Sequence, residues 1–436
     1  MTWTPEDAAH LLRRAGFGGT LEDVNRLHAL GKTGAIDAIV DYEKTADSVW
    51  SNDNPFGLPD VLAEWDGVRT ALLWQLLKSR RPLQAKLLWF WHGHFTTPSS
   101  AAGTLLFRRQ MNTWRTHANG SFAAFLSAVY KDGAMLEYLN GSYSHKDHPN
   151  ENFAREVQEL YTTGTGPYRE ADVREAARAL TGWEVTWPER NVVFNPQSFD
   201  TGTKTFLGQT GNLNGEDIMR ILAQRPETAR RTCAKLYRAF VSERVNLVEV
   251  NALVKRWAET GGNIKAVMRA LFQLPSFWDA RTRGFLFRTP LELILGLMQR
   301  LRLDLDLDRA RAVGWMSHQM GQDPFEPPNP AGYRTGLRLT GASMLLGRTQ
   351  MAENLIYNWA SPASIAILHA GLPRPTPPDQ LVATVAARLG VTTLTAGTRA
   401  SIATFLGSTP IAQPNLEDRT RSVAFLVASS PEYQVM

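Results

Sequence analysis

For most of the chain the apolar positions recur with a helical period, and in one short stretch they do not. Thr4-Pro5-Glu6-Asp7 offers an N-cap, a proline at the first helical position and acids in the first turn. Ala8, Leu11, Leu12 and Ala15 then repeat at helical spacing until Gly16-Phe17-Gly18-Gly19 ends the run. Thr20-Leu21-Glu22-Asp23 opens a second helix in the same way. Residues 66–95 predict one or two strongly apolar helices, through Leu72-Leu73-Trp74 and Leu87-Leu88-Trp89-Phe90-Trp91. Residues 105–138 predict two more, broken at Asn119-Gly120, and 150–162 with 170–182 form a pair joined by Gly164-Thr165-Gly166-Pro167. Between 183 and 213 the period changes. Trp183-Glu184-Val185-Thr186-Trp187 and Val192-Val193-Phe194, around Pro188 and Asn191, predict a β-hairpin-like insertion. Helical patterning returns at 214, with Thr289-Pro290-Leu291-Glu292 marking a helix boundary. Residues 321–333, holding four prolines and two glycines, predict an irregular surface loop. The fold class expected is mainly α: a multi-helix globular body with a small β-hairpin insertion. A helical region 1–182 carries the candidate site, followed by the insertion 183–213 and a helical region 214–436.

Composition allows a large core. Of 436 residues, 43% are hydrophobic and 20% charged, which excludes global disorder. Thirteen Trp, ten Tyr and nineteen Phe suggest aromatic slabs or an aromatic-lined cleft. The formal charge of +5 is dispersed, with pairs such as Arg13-Arg14, Arg108-Arg109 and Arg230-Arg231 and no polybasic run, so nucleic acid is not an expected partner. The single cysteine, Cys233, excludes an internal disulfide framework and a thiolate metal cluster, and reads as a small buried hydrophobe. No apolar run reaches the roughly 18 residues of a membrane span. The opening residues show no export leader, so the chain as written is expected in the cytoplasm, an exported form that has lost its leader staying open. The oligomeric state is left open.

Candidate chemistry concentrates in the first half. In Phe90-Trp91-His92-Gly93-His94-Phe95, two histidines flank a glycine where an apolar helix ends. Two positions on a regular helix diverge by about 200°, but a frayed end at Gly93 lets both imidazoles turn to one point, for metal ligation or proton transfer. The alternative is that they bond backbone carbonyls. Asn150-Glu151-Asn152-Phe153-Ala154-Arg155-Glu156-Val157-Gln158-Glu159-Leu160 is an amphipathic helix, with Phe153, Val157 and Leu160 as its apolar stripe. Glu151 and Arg155 can pair at i,i+4, whereas Glu156 and Glu159 repel at i,i+3 unless a proton or cation sits between them. A solvated acidic face is the plainer explanation. Arg174 and Arg178 share a face and are expected to neutralise these acids. The loop with His145, Asp147 and His148 reads as solvated. Gly-x-Gly-x-x-Gly, P-loop, Gly-x-Ser-x-Gly and His-Glu-x-x-His motifs are absent, which argues against dinucleotide, phosphoryl-transfer, ordinary serine-hydrolase and thermolysin-type chemistry.

The leading expectation is therefore a hydrolase acting on a polar substrate, such as a glycan, in a carboxylate- and histidine-lined cleft. Glu156 and Glu159 serve as acid and base, and His92 and His94 orient substrate or water. Arg155, Arg178, Asn112, Asn152 and Trp183 bind the substrate. No cofactor is specified. One alternative is a metal-dependent or metal-binding protein using His92, His94 and Glu151, Glu156 or Glu159 for a divalent transition metal. Another is a non-enzymatic helical binding module.

Several strings together resemble one bacterial family: Ala9-His10-Leu11-Leu12-Arg13-Arg14-Ala15-Gly16-Phe17-Gly18, the Phe90 to Phe95 segment, residues 149–160 and 171–183, Lys204-Thr205-Phe206-Leu207-Gly208, Pro327-Pro328-Asn329 and Ser430-Pro431-Glu432-Tyr433-Gln434. It is the family catalogued as domain of unknown function 1800, and Asn150-Glu151-Asn152-Phe153-Ala154-Arg155-Glu156 is the most specific of the strings. The resemblance implies a bacterial source and no particular reaction. Where that family tends to carry His-Asp, this chain reads Phe199-Asp200.

Overall fold

The computed structural model describes residues 2–57 and 65–436. It is mainly α-helical, and its only sheets among the described residues are two antiparallel two-stranded hairpins. The local signals act as their chemistry requires. Thr4 and Asp7 form a reciprocal capping box over the helix Pro5–Ala15, which stops at Gly16, and Thr20 with Asp23 do the same for Leu21–Ala29. The apolar stretch 66–95 is two helices, Trp65–Lys78 and Pro82–His94. The stretch 105–138 is three rather than two. Asp132 caps Gly133–Tyr138, separating it from Thr104–His117 and Phe122–Tyr130. The insertion holds two hairpins where one was expected. Trp183 pairs with Phe194 in the first and Lys204 with Gly211 in the second.

One connected set of buried side chains runs from Ala8 to Tyr433 and draws on helices from both ends of the sequence. The helix Pro82–His94 lies deep in it, with Leu83, Leu87, Leu88 and Trp91 buried. That burial fixes the backbone on which the histidine segment is displayed.

The 321–333 segment is irregular, as its prolines dictate, and only part of it lies at the surface, Gly321, Pro328, Asn329 and Ala331 being exposed. Phe325 and Gln322 are buried, the Ser99 N–H donates to the Phe325 carbonyl (2.8 Å), and the Thr96 hydroxyl donates to the Pro330 carbonyl (2.6 Å). Backbone polar groups that proline-rich chain leaves unpaired are thus met by residues 96–100, which lets the segment pack inward. At Gly332, φ is +94° and an added Cβ would lie 2.3 Å from the Gly93 carbonyl oxygen. Only glycine allows this close approach of loop to helix.

Candidate active site

The segment His92-Gly93-His94 does not fray. Helix geometry continues to His94, so the two imidazoles point to opposite sides instead of converging. His92 faces the inward loop: its Nε2 lies 3.2 Å from the Tyr333 hydroxyl, its Nδ1 is buried without a partner, and Trp89, Phe107 and Phe325 ring it. Burial lowers its pKa to about 3, so it is neutral at ordinary pH.

His94 faces the other way. Its Nε2 lies 3.1 Å from the Tyr161 carbonyl oxygen, which can only accept, so Nε2 carries the proton. Nδ1 is then an acceptor, and the Lys235 ammonium donates to it at 2.9 Å. Lys235 also donates to the Leu160 carbonyl (3.1 Å). Burial pushes the Lys235 pKa down to about 7, helped by the positive charges of Arg231 and Arg238. The same burial, with Lys235 as the adjacent cation, holds His94 well below the imidazole range.

The two carbonyls come from the acidic helix. Glu151–Glu156 is α-helical, and Val157–Tyr161 continues as a π-helical turn. The altered register leaves the last carbonyls free for outside donors, a recurrent arrangement near functional sites. The helix therefore reaches the site through its main chain and not through its acids.

Its carboxylates lie elsewhere. Arg155 holds Glu151 (3.1 Å) and Glu170 (2.7 Å) and stands 3.8 Å from Glu159, and Glu159 accepts from the Tyr168 hydroxyl. Glu156 has its pKa raised by partial burial and by the neighbouring charge of Glu159, with Arg155 opposing. The cation required between repelling acids is Arg155, four residues from one and adjacent to the other. Arg178, expected to neutralise these acids, instead clamps Asp200 (2.7 Å) and Glu175 (3.0 Å) and so ties the insertion to its helix. Asn112 is exposed and accepts from Arg115, Asn152 is exposed, and Trp183 packs against Tyr130 and Phe194. The expected substrate-binding set is dispersed over the surface. Among the described residues, no three His, Cys, Asp or Glu side chains gather to hold a metal ion, so His92, His94 and Glu151 are not brought together.

What does converge is a cavity of about 590 Å³ beside the helix Pro82–His94. His94, Lys235, Arg238, Glu243, Arg338 and the buried Lys86–Glu292 pair supply its polar lining. Trp89, Phe90, Phe240, Phe287, Leu337 and Tyr333 supply apolar wall, Tyr333 stacking on Trp89 at 5.1 Å. Burial alone would raise the Glu292 pKa, but Lys86 and the Thr289 N–H at the helix start hold it below the ordinary value, so it stays ionised. Glu156 and Glu159 do not line this space.

Sequence reasoning missed Lys86, Lys235 and Glu292. Each had a signal. Lys86 is a lone cation inside Leu83-Gln84-Ala85-Lys86-Leu87-Leu88, and Lys235 sits in the apolar string around Cys233, itself buried with its thiol pKa raised to about 12. Glu292 was legible only as a helix-capping acid.

The chain belongs to the family described as protein of unknown function (DUF1800), whose model matches residues 10–435. No curated protein and no solved structure matches it.

Proposed function

We propose that the chain is an enzyme of hydrolytic type acting on a small, partly apolar molecule in this cavity. Lys235 takes and returns the proton, and His94 is its positioning residue. The hydrogen-bond arrangement of Lys235 carries the proposal. Its Nζ has three substituent directions besides the chain, and two are fixed by His94 Nδ1 and the Leu160 carbonyl. The third is left for the cavity it lines. As an ammonium it offers a proton there, and as an amine it offers a lone pair. A lysine whose pKa is about 7 exchanges between these forms at ordinary pH, which suits general acid–base work.

In an acyl hydrolysis, Lys235 takes a proton from water as the water oxygen bonds to the acyl carbon. The bond to the leaving oxygen then breaks, and the same proton passes to that oxygen. Arg238 and Arg338 supply positive charge for the oxyanion formed between the two steps. The cavity volume falls in the range of small-molecule pockets, and its mixed lining favours a ligand with an apolar body and an oxygen-rich end. Glycosidic chemistry needs one carboxyl that can be protonated and one that is ionised. Of the cavity's two side-chain carboxyls, Glu292 is committed to Lys86, which leaves Glu243 without a second free acid, so an acyl substrate is better supported than a glycan.

The test is turnover of a panel of chromogenic aryl esters, aryl glycosides and aryl phosphates. Activity on an ester that falls at least about 100-fold in Lys235→Met and His94→Gln, with Glu156→Gln and Glu159→Gln near wild type, is the expected result. Loss in the glutamate variants instead would return the chemistry to the acidic helix, and no turnover on any substrate would sink the enzyme reading.

A further inference from the structure

Away from the cavity, the last turn of the helix Pro290–Arg300 presents a guanidinium with no ion-pair partner among the described residues. Arg300 is 8% exposed, and its Nη2 is buried without a hydrogen-bond partner. Gly390, at φ +86°, backs it so closely that an added Cβ would lie 3.2 Å from Nη2. The charged and titratable groups around it are Arg13, Arg288, Tyr433 and Glu6. Glu6 is the one carboxylate among them, and it is taken by Arg13 at 2.6 Å. Arg13 also donates to the Gly390 carbonyl (3.2 Å). Arg288 is buried, donates to the Val435 carbonyl (3.1 Å) and lies 4.6 Å over the Tyr433 ring. The Tyr433 hydroxyl is fully buried, faces the Arg288 guanidinium and meets no acceptor among the described residues. Three guanidiniums, a phenol hydroxyl without an acceptor, and two carboxylates already committed elsewhere, Glu6 to Arg13 and Glu292 to Lys86, therefore share one region of the interior.

A buried polar atom without a partner is uncommon, and a buried cation without an anion is rarer still. Arg300 and Tyr433 break both rules within one cluster. Neither they nor Arg13 and Arg288 line the large cavity.

We propose that Arg300, Arg288, Arg13 and Tyr433 form a second site, for a small inorganic oxyanion of the phosphate or sulfate type. Guanidinium forks match the paired oxygens of such an anion, and the Tyr433 hydroxyl adds a donor of the right kind. The limited exposure of Arg300 admits a compact anion and excludes a bulky one. Its elements come from residues 13, 288, 300, 390 and 433, so the anion would pin the two ends of the chain to the central helix.

Phosphate titration of the full chain by calorimetry, at ionic strength held constant with sodium chloride, tests this, with sulfate as a parallel arm. The expected result is saturable 1:1 binding and a thermal midpoint that rises with phosphate. Arg300→Met should bind at least 10-fold more weakly, and without phosphate it should be no less stable than wild type, because it removes the unpaired charge. Tyr433→Phe, which deletes a single hydroxyl, should weaken phosphate binding about 3-fold to 10-fold and covers the case in which Arg300→Met fails to fold. Absence of saturable binding of either anion to the wild type overturns the proposal, as does a phosphate response in both variants equal to that of the wild type.

Discussion

The acidic helix and the cavity meet at Leu160 and Tyr161 yet handle charge in opposite ways. On the helix face, Arg155 is shared among Glu151, Glu159 and Glu170, and water screens what remains. In the cavity, Lys86 and Glu292 are buried together, and Lys235 is buried against a neutral imidazole with no carboxylate partner among the described residues. The first arrangement spreads charge until little is felt. The second concentrates it where small chemical changes have large consequences. A dense run of charges in a sequence thus marks the less consequential region of this molecule, and isolated cations inside apolar runs mark the more consequential one.

The sharpest way to break that contrast is to leave a cavity charge unpaired. Lys86→Met strands Glu292 in the interior and should cost about 3–5 kcal/mol of stability by chemical denaturation; a loss below about 1 kcal/mol would mean that the pair is solvated after all. Lys235→Met should leave folding intact while lowering turnover of a responsive ester at least about 100-fold.

Acid should separate the two regions next. His92 and His94 are neutral when folded, with pKa values below the ordinary 6.5. As pH falls below 6.5 the unfolded chain binds protons that the native chain refuses, so stability declines. For His92 the expected loss between pH 6.5 and 5 is about 2 kcal/mol. A denaturation midpoint flat over that range would show that the histidine is reached by water.

The rate should sense Lys235 more gently. Its pKa is lowered to about 7, so the amine form is scarce below that pH and full above it. The value of kcat/KM should fall roughly tenfold per unit below pH 7, with no histidine limb near 6.5. On the helix face, Glu151→Gln should change stability by no more than about 0.5 kcal/mol.

The fold was largely readable because caps and periods are local. Thr4-Pro5-Glu6-Asp7 and Thr20-Leu21-Glu22-Asp23 each specify a helix start within four residues, and the capping boxes form as written. The site was less readable because it depends on non-local partners. Nothing near Lys235 in sequence announces that Leu160 and His94 will meet it. Nothing in 321–333 announces that Gly332 will press on Gly93 and turn a proline-rich loop inward. His94 was picked out for its chemistry, but its companion was not, and the geometry assumed for His92 failed because the helix does not fray.

The π-helical turn at Val157–Tyr161 has one more consequence. Such a turn holds a single surplus amino acid relative to an ordinary helix. Excising one residue there should heal the coil into regular form and rotate the two oxygens away from lysine and imidazole. A deletion would then disarm the centre without touching any of the side chains that compose it, a kind of lesion that substitution scanning never samples.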